Sequence, residues 1–85
     1  MLRLKIDPIG DGQHPSEIMV AVETAEGSRE ILIVDRRSLE GDTLGIGYPV
    51  GARGDLYLVE LPQETMRGLW RVWVKKERLV EKAVA

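Results

Sequence analysis

The chain has 85 residues, 44% of them hydrophobic, with 12 Lys and Arg against 14 Asp and Glu and no cysteine. A chain of this length makes one small domain that hides roughly 60–65% of its unfolded surface. With no thiols, a disulfide framework and a thiolate zinc site are both excluded, so apolar burial has to hold the fold together in an expected reducing, cytoplasmic setting.

Leu2, Leu4 and Ile6 alternate with Arg3 and Lys5, the period of a half-buried strand that stops at Asp7-Pro8. The segment from Asp7 to Ser16, with two prolines, two glycines and the only histidine, predicts a long loop with turns at Asp7-Pro8 and Asp11-Gly12. It fails as a calcium loop. With Asp7 at the first position, Ile9 and Ile18 fall where oxygen ligands are required. His14 has no second histidine or cysteine with which to share a metal, and reads as a solvated loop residue. Glu17 to Thr24 and Arg29 to Val34 predict two strands joined by a turn at Ala25-Glu26-Gly27-Ser28. Ile31 to Val34 is apolar on both faces, which places it centrally or under a loop or partner. Asp35 to Gly41 offers an N-cap, room for one helical turn and a terminating glycine, and fits equally an irregular loop carrying Arg36 and Arg37 outward.

Asp42 to Gly54 carries four glycines around Tyr48-Pro49. Phosphate cradles run from a strand into a helix N-terminus, and here another strand follows, so tight corners where backbones approach are expected instead. Arg53-Gly54-Asp55 spells an integrin-type tripeptide, too short a match to carry weight. Asp55 to Leu61 predicts the fourth main strand, and Pro62 to Gly68 a connection with room for a single helical turn. The fifth strand, Leu69 to Val74, contains both tryptophans. Alternation puts Trp70, Val72 and Val74 on a core face, and Leu69, Arg71, Trp73 and Lys75 on the other. In Glu77 to Ala85, Leu79, Val80, Ala83 and Val84 fall at helical spacing; this tail is expected to dock, with Trp73 as its partner, or to stay mobile. No apolar run is long enough for a signal segment or a membrane-spanning helix, the longest being Ile18 to Val22.

These elements predict an all-β single domain over 1–85, with 77–85 as a C-terminal tail or short helix. The architecture expected is a small five-stranded antiparallel barrel or strongly bent sheet with short helical turns and no internal repeat. The fold-level analogy is an SH3-like or OB-like barrel, a class that hosts many unrelated binding tasks. The net charge is slightly negative but uneven: residues 1–65 hold six Lys and Arg against twelve Asp and Glu, and residues 66–85 hold six against two. Two binding functions follow. The first is a non-enzymatic interaction module, self-associating as a homodimer or joining a protein partner, because the strands over 29–34 and 55–61 are apolar on both sides. The alternative is nucleic-acid binding through Arg71, Trp73, Lys75, Lys76 and Arg78, helped by Arg36, Arg37 and Arg67, with a base on the indole and the cations along phosphate. Against it stands a Trp73 covered by the chain's own tail, with Arg71 and Lys75 lying along the ring. No enzyme is expected, since nothing pairs two carboxylates, or His14 with a nucleophile. No metal, small-molecule cofactor or membrane partner is expected either.

Overall fold

The structure, a computed structural model, describes residues 2–81. In chain order it contains β1 (Leu2–Lys5), β2 (Asp7–Asp11), β3 (Glu17–Glu23), β4 (Arg29–Asp35), a 3-10 turn at Arg36–Ser38, β5 (Leu39–Glu40) and β6 (Thr43–Gly45). These are followed by β7 (Gly51–Arg53), β8 (Leu56–Glu60), β9 (Arg71–Lys75), a second 3-10 turn at Lys76–Arg78, and β10 (Leu79–Glu81). The strands form three antiparallel sheets, ordered β10-β1-β6-β5, β2-β3-β4 and β7-β8-β9. The protein is all-β, and no helix among the described residues is long and apolar enough to cross a membrane. Ten short strands replace the expected five, and no ladder among the described residues joins the sheets into one closed cylinder.

The two halves of the chain repeat one another, contrary to the expectation of no repeat. β1 pairs with β6 so that Leu4 faces Leu44, the residue 40 positions on, and Leu79 meets Leu4 just as Leu39 meets Leu44. The loop hydrogen bonds follow the same rule. The Ile6 N–H donates to the Asp42 carbonyl and the Ile46 N–H to that of Leu2; the Arg36 N–H donates to Ser16 and the Lys76 N–H to Asp55. Each half therefore runs strand, hairpin, 3-10 turn, strand, and a pseudo-two-fold axis passes between Leu4 and Leu44. The core obeys it too. Its buried residues match as Leu4 with Leu44, Ile6 with Ile46, Val20 with Val59, Val22 with Leu61, Leu32 with Val72, and Val34 with Val74. The sequence hides this because the inward positions keep apolar character without keeping identity, and because the second hairpin has one residue more between its paired strands.

Each hairpin tip reaches across to the other half. The Ala25 N–H donates to the Trp73 carbonyl on β9, and the Met66 N–H to the Ile31 carbonyl on β4, both at 2.8 Å. These bonds cap the inner sheet edges, which would otherwise present open ladder groups. The tips share one turn: Gly27 and Gly68, at φ 86° and 87°, close back on Thr24 and Thr65, in the left-handed region that glycine enters without steric cost.

Several local expectations are corrected. Asp7–Asp11 is a strand and not part of a loop, because Asp7 and Pro8 pair with Ala21 and Val20, and a bulge at Ile9 absorbs the proline. Strands β6 and β7 lie within the glycine-rich stretch expected to form only corners. Pro62–Gly68 makes turns and not a helical turn. The helical spacing over Glu77–Ala85 gives, in its described part, the end of the 3-10 turn and strand β10, which takes the partner on β1 that β5 takes on β6; residues 82–85 lie outside the described residues. Trp70 has the phase of the core face but lies just before β9, beyond the sheet's cover, and is 51% exposed. The hairpin over 17–34 and the Asp35-capped turn form as expected.

Candidate functional site

The outer face of the β7-β8-β9 sheet holds the centre of the cationic cluster read from the sequence. Register places Gly51, Leu58 and Trp73 in one row and Arg53, Leu56 and Lys75 in the next, while Arg71 faces Glu60. Trp73 is half-buried. What lies over its ring is the Arg53 guanidinium, 5.1 Å from the centroid, and a methyl group at Gly51 would touch its rim. The described part of the tail, through Glu81, pairs instead with β1 in another sheet; the rest of the tail lies outside the described residues. Arg71 bonds to Glu60 at 3.0 Å and Arg78 pairs with Glu23. Lys75 and Lys76 are exposed and line open clefts with Asp55 and Glu77. Of the five residues singled out, Arg71, Trp73 and Lys75 thus share one face, while Lys76 and Arg78 belong to the turn beyond it. Arg53 was missed, and only the register of β7, a strand not expected there, brings it to the indole.

The helper arginines are occupied. Arg36 donates to Asp11 and to the Pro15 carbonyl, both at 2.9 Å. Arg37 donates to Asp35, whose side chain also accepts the Arg37 N–H as the cap of the turn. The guanidinium bond first, and the N–H second, hold the Asp35 carboxyl below its ordinary value, and the same contact raises Arg37. Arg67 reaches the Glu30 carboxylate at 3.1 Å. Glu30 is only 2% exposed, and its second oxygen has no partner.

A second open apolar feature lies elsewhere, on the tip of the second hairpin. Met66 is 63% exposed, Leu69 37% and Trp70 51%, with Arg67 and Arg71 set among them. The corresponding turn of the first hairpin reads Thr24-Ala25-Glu26-Gly27-Ser28 where this one reads Thr65-Met66-Arg67-Gly68-Leu69, and Glu30, across from Val22, stands where Trp70 stands across from Leu61. One backbone turn thus displays a small polar surface in one half and an apolar, cationic surface in the other. Sequence alternation missed the second tip by assigning Trp70 to the core. The signal present was Met66 and Leu69 around a turn glycine, where a turn has no use for large apolar side chains. No group of three or more His, Cys, Asp or Glu among the described residues is placed to hold a metal ion. Comparison with protein-family models, curated proteins and solved structures finds no match.

Proposed function

We propose that the chain is a non-enzymatic interaction module that docks a protein partner through the tip of its second hairpin. The observation that carries this reading is the exposure of Met66, Leu69 and Trp70 beside Arg67 and Arg71, at a tip whose counterpart carries Ala25, Ser28 and Glu30. Trp, Met and Arg are the side chains enriched where proteins bury surface against each other, and a tryptophan ringed by arginines is a typical anchor. Both arginines have carboxylate partners that use only part of their donor fork, which leaves N–H groups for an acidic rim around an apolar pocket. The scaffold reading that goes with it is a flattened, barrel-like wrap of the three sheets around the twelve core residues, within extents of 38 × 35 × 17 Å.

Photo-crosslinking from position 66, with position 26 on the opposite tip as control, tests this. Crosslinks expected at 66, absent at 26 and removed by Trp70→Ala, support it; a crosslink to a second copy identifies the partner as the chain itself. The same proteins caught equally from both tips would end the reading.

A second reading, nucleic-acid binding, is favoured by Arg53, Arg71 and Lys75 around Trp73 on one sheet face. It expects oligonucleotide to quench Trp73 fluorescence at low salt, with loss of the effect as salt rises. An unchanged spectrum at low salt removes it.

A further inference from the structure

Both tyrosines of the chain converge on one cleft, nine residues apart in sequence and on different elements. The cleft is about 360 Å³ and lies between Leu2 on β1, Tyr48 and Pro49 before β7, Tyr57 on β8, and Lys76 and Leu79 at the second 3-10 turn. Its lining is mainly apolar, and Glu81, held by another contact, completes it. Tyr48 is 72% exposed, so its ring forms a wall of the cleft and not part of the core. Tyr57 is half-buried against the core and forms the floor. Neither phenol hydroxyl, nor the Lys76 ammonium, has a partner among the described residues.

The repeat supplies an internal control. At the matching places the first half has Asp7, Pro8, Ile18, Arg36 and Leu39, without an aromatic ring, and Arg36 is tied down by Asp11 and Pro15. The fold therefore forms this corner without tyrosines in its first half.

We propose that this cleft binds a proline-rich segment in the polyproline II conformation, flanked by an acidic residue. Tyrosine rings in an apolar cleft accept pyrrolidine rings, and the polyproline backbone, which makes no internal hydrogen bonds, offers carbonyls to the phenol hydroxyls. Such a segment is already extended before binding, so little ordering entropy opposes it. The free Lys76 ammonium at the rim selects the acidic flank by charge complementarity. This surface is distinct from the hairpin tip and does not depend on the role given to Trp70.

The test is a heteronuclear NMR titration of the full chain with an acetylated octaproline peptide ending in two glutamates, a lysine-ended octaproline, and a glycine-serine peptide ending in two glutamates. Expected are shifts at Tyr48, Tyr57 and Leu79 with the first peptide, and binding weakened at least about tenfold by Tyr48→Ala. Lys76→Glu is expected to reverse the preference between the two octaprolines, and Trp70→Ala to change nothing. Equal binding of the glycine-serine peptide, or unchanged affinity in Tyr48→Ala, overturns the proposal. So does movement of the same resonances by oligonucleotide but not by octaproline. Concentration-dependent shifts at Tyr48 without any peptide would make a second copy the occupant, and would also overturn it.

Discussion

Glu30 shares the inward face of β4 with Leu32 and Val34, yet it is a carboxylate with one ion-pair partner, Arg67, at 3.1 Å. At that distance the attraction is about 5 kcal/mol at an effective dielectric near 20. The desolvation of a buried carboxylate costs several kcal/mol, so the intact pair is close to neutral for stability. Removing only one partner is different. Arg67→Ala leaves a buried charge whose second oxygen is already without a partner, and the expected loss is about 3 kcal/mol. Glu30→Leu instead extends the apolar face and releases Arg67, already largely exposed, to water. It is expected to lie within about 1 kcal/mol of the parent, or above it, and to cancel the cost of Arg67→Ala in the double variant. Urea unfolding followed by tryptophan fluorescence reads this directly. With a slope of about 1 kcal/mol per molar for a domain of this size, Arg67→Ala moves the midpoint down by about 2–3 M. An Arg67→Ala midpoint within about 0.5 M of the parent, or a Glu30→Leu protein that is the less stable of the two, would mean that Arg67 does not neutralise a costly buried charge.

Leu4 and Leu44 are fully buried and face each other across the pseudo-axis. Leu4→Ala and Leu44→Ala are each expected to cost about 3 kcal/mol in urea unfolding, equal within about 1, with a non-additive double variant because the two holes merge. Strongly unequal single losses would contradict the equivalence of the halves. Asp35 caps the first 3-10 turn with its folded carboxyl held below the ordinary 3.8 by Arg37. A depressed value means that its contribution is present above the ordinary carboxylate range and is lost as pH falls through the lowered value. The difference between parent and Asp35→Asn, measured by urea midpoint, is therefore expected at neutral pH and to vanish in strong acid. A difference that grows on acidification would show the opposite sign.

What was legible in the sequence were the strands whose inward positions alternate without interruption. Glu17–Glu23 and Arg29–Asp35 form at their expected places because β-branched alternation and a Gly27 turn act together. Where pairing decides, local pattern failed. Asp7–Asp11 has the residues of a loop and becomes a strand because β3 offers an edge and a bulge takes up the proline. Leu79–Glu81 has helical spacing, but the vacant side of β1 selects an extended conformation. Trp70 shows the same limit at the candidate site: its phase along the chain is that of a core residue, but burial requires something opposite, and the sheet ends there. Arg53 reaches Trp73 only through the register of a three-residue strand with no local signature.

If the apolar tip serves binding and not folding, the fold tolerates its loss. The most direct test replaces the second tip's large apolar residues by small or polar ones like those of the first: Met66→Ala, Leu69→Ser and Trp70→Arg together, with the urea midpoint read from the remaining Trp73. The expected result is stability within about 1 kcal/mol of the parent, because half or more of Met66 and Trp70, and over a third of Leu69, already faces water. A loss well beyond about 2 kcal/mol would show that they hold the fold together, and would contradict the claim.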